Sequence, residues 1–277
     1  MRRTFPTLAL ALGAAAPLLL AGSSVSVAAQ SSRGSDTTFS WSGAVQADRW
    51  VYVRNLNGRV RVEAGTGSKV EIRAEKHWRR GDPEDVKITV RQVGSGNGDV
   101  VVCALWNDRS TCDEDGYHSH NDRWFGNNDR NDVAVDFTVR LPAGVKIDAS
   151  TVNGGVEIEG ATSTVVAHTV NGGVEARSTG GAVSAHTTNG DVTVSSAKLD
   201  GDRTDFSTVN GSITVSLPAS VSADVDMRTV NGHLSSDFPL TVEGTFSPKR
   251  LHATLGKGGP TLRLSTVNGS IRLRKLS

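Results

Sequence analysis

The dipeptide Asn-Gly recurs at 153–154, 171–172, 189–190, 210–211, 231–232 and 268–269, and this repetition limits the possible folds more than any other feature of the chain. The successive spacings are 18, 18, 21, 21 and 37 residues. A period near twenty means stacked, similar units, each burying its apolar side against its neighbours. The 37-residue interval reads as two units, one of them degenerate. Leucine-rich repeats are excluded, because no L-x-x-L-x-L pattern and no helical half are present. What remains is an all-β, single-stacked β-solenoid (β-helix) with 18–21 residues per coil.

Aligning the units on their Asn gives each position a direction. Three residues after it stand Val156, Val174, Val192, Ile213, Leu234 and Ile271, all aliphatic and expected inside. The next position holds Glu157, Glu175, Thr193, Thr214, Ser235 and Arg272, expected in water. Four residues before the Asn stand Ala149, Ala167, Ala185, Phe206, Met227 and Leu264, again an inward set. Each coil therefore has two short strands with one buried face, meeting at an Asn-Gly corner. Glycine supplies the positive φ of a tight corner, and Asn tolerates it. The stacked amides of Asn153, Asn171, Asn189, Asn210, Asn231 and Asn268 are expected to form a hydrogen-bonded ladder. Two residues before each Asn stands a threonine: Thr151, Thr169, Thr187, Thr208, Thr229 and Thr266. Parity places this row inside, whereas a bend at the corner would turn it into a flat external threonine ladder.

The chain changes character near residue 130. All five tryptophans and both tyrosines precede residue 126, and alternating runs such as Val51/Val53, Val60/Val62 and Val70/Ile72 read as short strands. Residues 30–132 thus form an irregular β-rich part and residues 133–277 the solenoid. Within the first part, residues 103–132 form a polar insertion. Cys103 and Cys112 enclose eight residues at its base and are expected to pair, since structural zinc usually needs four ligands.

Residues 1–29 carry Arg2 and Arg3, an apolar run from Leu8 to Ala21, and a small-residue end at Val27-Ala28-Ala29. That is the pattern of a secretory signal peptide, with an uncleaved anchor as the alternative. An exported, soluble protein follows, placed in a periplasm, on a cell surface or outside the cell, with no membrane span after cleavage. The address also suits a disulfide. A formal net charge of +1 argues against electrostatic capture of nucleic acid.

The Thr-Val-Asn-Gly units are accompanied by the run from Val135 to Val145 (VDFTVRLPAGV). They are also accompanied by the closing stretch Gly256-Lys257-Gly258-Gly259-Pro260, which leads to Leu264 through Ile271. Together these features resemble a bacterial exported family known as "putative adhesins", β-helical and of unknown function. The resemblance covers residues 130–277, and residues 38–105 more loosely. It implies the β-helix fold and supplies no catalytic residues.

The densest polar cluster is the insertion. Asp113, Asp115, Asp122 and Asp129 are candidate calcium ligands, although the spacing is not that of an EF-hand. His118-x-His120 is half of a transition-metal site at most, and Trp124 is a possible aromatic anchor for recognition. The alternative is a solvated loop held by the disulfide. Asp200, Asp202 and Asp205 supply carboxylates of the kind a glycoside hydrolase needs, but short corners leave little from which to build a cleft. The sequence therefore points to a non-enzymatic, adhesin-like or envelope scaffold protein without a cofactor, facing an envelope polysaccharide or a surface protein. A polysaccharide lyase or hydrolase and a self-associating structural module are the alternatives.

Overall fold

Two outward-facing rows alternate with two inward-facing rows along nearly every strand, and that alternation yields two long sheets packed on one core. The computed structural model describes residues 37–118, 131–178, 180–201, 203–242 and 247–276. The signal-peptide stretch 1–29 and residues His120, Asp122, Trp124, Asp129 and Asp202 lie outside the described residues.

Among these residues, the first sheet has ten strands and the second eleven. The middle of the first sheet runs Val60–Ala64, Val156–Ala161, Val174–Ser178, Val192–Ser196, Ile213–Leu217, Ile271–Lys275, Leu234–Ser236, all parallel. The middle of the second runs Trp50–Arg54, Lys146–Ser150, Val165–His168, Val183–His186, Arg203–Asn210, Thr261–Asn268, Ala223–Asn231, also parallel. Ala134–Leu141 lies parallel beside Val60–Ala64, and Asp99–Leu105 parallel beside Trp50–Arg54. Antiparallel strands close the ends: Lys69–His77 and then Thr38–Ala44 extend the first sheet, Lys87–Val93 the second at the same end, and Arg250–Leu255 with Leu240–Val242 the second at the other.

The inward rows fill the core as the repeat predicts. Val156, Val174, Val192, Ile213 and Ile271 are buried, as are Ala149, Ala167, Ala185, Phe206, Met227 and Leu264. Leu234 is only half-buried, because its strand is the last of the first sheet. Each buried aliphatic side chain contributes about 1.5–3 kcal/mol. The Asn amides form the expected ladder. Two further Asn-Gly pairs lie outside the period, Asn57-Gly58 and Asn97-Gly98, each followed by similar aliphatics (Val60/Val62 and Val100/Val102), and the first supplies one more rung. Asn153 donates to Asn57 at 2.7 Å, so residues 50–64 are a coil of the same stack, beginning inside the stretch 30–132. Asn97, in contrast, lies in a turn with a φ of 53° and is no rung.

Spatial order departs from chain order at the far end. Asn268 donates to Asn210, and Asn231 donates to Asn268, so the coil around 268 lies between those around 210 and 231. The 37-residue interval is therefore no degenerate copy. The chain leaves the outermost coil, turns back as the antiparallel strand Arg250–Leu255, and returns through Thr261–Asn268 between two existing coils. A repeat period counts coils and is blind to their order.

The threonine row faces inward, in line with parity. Thr151, Thr169, Thr187, Thr208, Thr229 and Thr266 are buried. Each hydroxyl donates to a corner glycine carbonyl of the adjacent coil, at 2.8–3.0 Å. That bond satisfies an acceptor the turn would otherwise leave buried, and each contributes about 0.5–1.5 kcal/mol. Asn55 occupies the same position in the first coil and donates to the Gly58 and Val135 carbonyls. At the far end the Lys249 ammonium takes the place of the threonine hydroxyl and donates to the Gly232 carbonyl at 2.6 Å. The corner is closed at both ends.

The corner glycines are needed for space more than for φ. A Cβ at Gly154, Gly172, Gly190, Gly211, Gly232 or Gly269 would sit 1.8–2.1 Å from the neighbouring glycine carbonyl oxygen. Gly172, Gly211 and Gly232 are not in the left-handed region at all, which corrects the expectation that positive φ sets the requirement. Gly190→Ala should accordingly cost about 3 kcal/mol. Gly67→Ala, where an added Cβ meets only the Lys69 nitrogen at 4.0 Å, should be near neutral in the same urea titration. Equal midpoints for the two variants would refute the close-approach account.

Candidate functional site

The stack offers its chemistry on three outer surfaces, each built by the strand period. The first is the outside of the second sheet at its N-terminal end. Trp50 and Tyr52 alternate outward on one strand and stack with ring centroids 5.8 Å apart. Lys146 stands 5.9 Å over Trp50, and the Arg54 guanidinium 5.2 Å over Tyr52. Arg54 is buried and ion-paired with Asp148 at 2.8 Å. It also donates to the Asp113 and Glu114 carbonyls of the insertion, at 3.3 and 2.5 Å. Arg91 donates to the Cys112 carbonyl.

Cys103 and Cys112 form a disulfide with Cα atoms 6.3 Å apart. Beneath it, Val101 and the two cysteines make a second small core on the sheet's outside, flanked by Tyr52, Val93, Leu105 and Tyr117. Early aromatics and the stapled insertion thus belong to one device, which covers apolar surface the solenoid turns outward. The Asp113 carboxylate, a calcium candidate, accepts from the Asp115 and Gly116 amides and lies 3.0 Å from His118 Nε2. The His118 contact, with those amides, holds its pKa below the usual carboxylate range. Asp115 is exposed, and among the described residues no three His, Cys, Asp or Glu side chains group to hold a metal ion.

Further along the same face, one outward row reads Ser150, His168, His186, Ser207. The two imidazoles, in equivalent positions of adjacent coils, stack with centroids 5.0 Å apart and planes 12° from parallel. His186 Nδ1 lies 2.7 Å from Ser207 Oγ. Burial depresses both histidine pKa values. For His168, His186 and Arg54 add to the depression while Asp148 opposes it; for His186, Asp205 opposes it. Asp200, a carboxylate considered for catalysis, is held by Lys198 at 2.6 Å and by the Gly181 amide at 3.0 Å.

The second surface is the outside of the first sheet, where charges are paired over its N-terminal half and Arg272 and Arg274 stand exposed toward its far end. Arg61 meets Glu157 at 3.1 Å, Arg177 meets Glu175 at 2.8 Å, and Arg73 meets Glu75 at 2.9 Å. Two shallow hollows lie there: about 250 Å³ over Arg61, Glu157 and Arg177, and about 700 Å³ over Ser40, Glu71, Arg73 and Arg140. The basic run 76–80 is likewise tied down. Lys76 donates to the Pro83 carbonyl, and the Arg79, Arg80 and Gly81 amides all donate to Asp132.

The third surface, the corner itself, was missed by the inside–outside parity of the strands. Immediately before the ladder Asn stand Leu56, Val152, Val170, Thr188, Val209, Val267 and Val230 in stacking order. Val170, Val209, Val230 and Val267 are 39%, 40%, 60% and 39% exposed. An apolar rib therefore runs beside an exposed row of amides. Its signal in the sequence was the Val of Thr-Val-Asn-Gly.

Two predictions concern the histidine stack. The native state holds these imidazoles neutral more strongly than the unfolded chain does, so it binds fewer protons at mildly acid pH. Stability should be complete above the unfolded value of roughly 6.5 and fall as pH drops below it. Denaturation midpoints of the wild type and of His168→Asn/His186→Asn, followed between neutral and acid pH, should diverge in that window. Parallel curves would remove the stack from the acid response.

Residues 143–274 match the family described as Toastrack DUF4097. No curated protein matches the chain. Similar solved structures include a "putative cell adhesion protein" from Clostridium sporogenes ATCC 15579, 12% identical, with a TM-score of 0.46, covering 86% of this chain and 100% of that one. Another is a "putative adhesin" from Bacteroides fragilis NCTC 9343, 13% identical, with a TM-score of 0.40, covering 87% of this chain and 98% of that one.

Proposed function

We propose that this chain, which carries a Toastrack DUF4097 domain over residues 143–274, is an exported, non-enzymatic adhesin-like protein that binds a neutral envelope glycan along its corner. In this reading the stack is a single β-solenoid with coils of 18–21 residues, a rigid comb of equivalent positions. The observation that carries the proposal is the exposed valine rib beside the asparagine ladder. Single exposed valines need no explanation, but a registered row of them does. Each interior ladder amide spends one donor and one acceptor on its neighbours and keeps one of each for a ligand. Methyls beside amides at strand spacing complement a polymer that shows C–H faces and hydroxyl edges. Contacts would be individually weak and additive along the chain.

Ion pairing over the N-terminal half of the first sheet's face supports an uncharged partner over a polyanion there. The cleaving alternative needs two carboxyls beside a cleft, and Asp200 is already engaged by Lys198. Export rests on the leader pattern of residues 1–29. Among the described residues, no helix is long and apolar enough to cross a membrane.

The test is co-sedimentation of the protein with purified cell-wall and polysaccharide particles at two salt concentrations. Saturable, salt-insensitive retention by a neutral glycan is expected. The triple variant Val170→Ser/Val209→Ser/Val267→Ser should abolish it while changing stability by only about 0.5 kcal/mol per site. Retention that salt removes would move the site to a charged face. No retention on any particle would end the adhesin reading and leave an envelope scaffold.

A further inference from the structure

Asn-Gly is the peptide sequence most prone to spontaneous deamidation, because glycine leaves its backbone nitrogen free to reach the preceding side chain. This protein carries it at every corner, and the stack treats the corners unequally. At Gly58, Gly154, Gly172, Gly190, Gly211 and Gly269 the backbone N–H donates to the Asn carbonyl of the next rung, at 2.8–2.9 Å. The side chains of Asn57, Asn153, Asn171, Asn189, Asn210 and Asn268 each offer their Oδ1 to the next amide of the ladder. In those six rungs the attacking nitrogen and the carbonyl under attack are both engaged across a parallel ladder. Reaction there requires the coils to part.

Asn231-Gly232 is different because it is the last rung in space. Its Nδ2 donates to Asn268 at 2.8 Å, but among the described residues no further rung uses its Oδ1. Among the described residues the Gly232 N–H has no acceptor, and no further parallel coil stacks beyond it. Asn231 is exposed, and the Gly232 carbonyl is pinned by Lys249.

We infer that Asn231 is the ladder's site of spontaneous deamidation. The Gly232 nitrogen attacks Asn231 Cγ, its proton passes to solvent, and the side-chain nitrogen leaves as ammonia. The resulting five-membered succinimide takes up one water and opens to aspartate or to isoaspartate. No oxidant, reductant or enzyme is needed. The product places a carboxylate on the last rung and, in the isoaspartate form, routes the backbone through the side chain. Asn97-Gly98 is an internal reference: an exposed Asn-Gly in a turn outside the ladder.

The test is peptide mapping by mass spectrometry of the folded full chain, incubated at mildly alkaline pH below its unfolding temperature, with isoaspartate quantified at each Asn-Gly. Amide loss at Asn231 and Asn97 should run at least about tenfold faster than at Asn171 and Asn189, whose reaction waits on local opening. In urea, where the stack is gone, all sites should react at comparable rates. Folded-state loss at Asn231 as slow as at Asn171 would overturn the inference, as would equal loss at all rungs.

Discussion

Close approach of one backbone turn to the next, with a glycine carbonyl received by a threonine hydroxyl, is the constraint on which the rest of the structure depends. It places the coils near enough for the asparagine amides to bond along the axis. It fixes the register of both sheets, so that alternate residues fall inside or outside without slippage. It also explains why the same four residue types recur together. Threonine supplies the buried donor, glycine the room and asparagine the axial amide, while valine is the residue turned to water.

The same constraint limits what the protein can do. Short corners and flat faces spread the chemistry along rows. Each row repeats a side chain at strand spacing, and the rows differ in character. One face is tied up in ion pairs over its N-terminal half, a second carries stacked imidazoles and a stapled aromatic cover, and the corner pairs apolar groups with amides. A surface with one repeat suits a ligand with a repeat. The protein's breadth of contact comes from copying one coil.

Much of this was legible in the residues. The period-two pattern gave the inward rows, and parity alone turned the threonines inside. The ladder followed from six aligned asparagines, and the spacing of Cys103 and Cys112 anticipated their bond. What stayed hidden has physical causes. Asn57 is separated from Asn153 by a long excursion that caps both sheets, so its membership of the stack is a tertiary fact. The glycine requirement looked conformational because steric contact between coils leaves no trace in a single strand's sequence. The valine rib was passed over because it occupies the turn, where neither strand's alternation applies.

The placement of the 268 coil between those of 210 and 231 bears on how the molecule is made. A repeat protein commonly zips up from one end, each unit docking on the last. Here the coil around 231 cannot dock on its final neighbour, the coil around 268, until that later segment has been synthesised. Residues 261–275 act as a keystone: the outer coil and its antiparallel return must wait, or sit on the wrong neighbour, until that segment enters. Assembly of the far third is thereby coupled to the arrival of residues 261–275, which turns a string of interchangeable units into a single cooperative object.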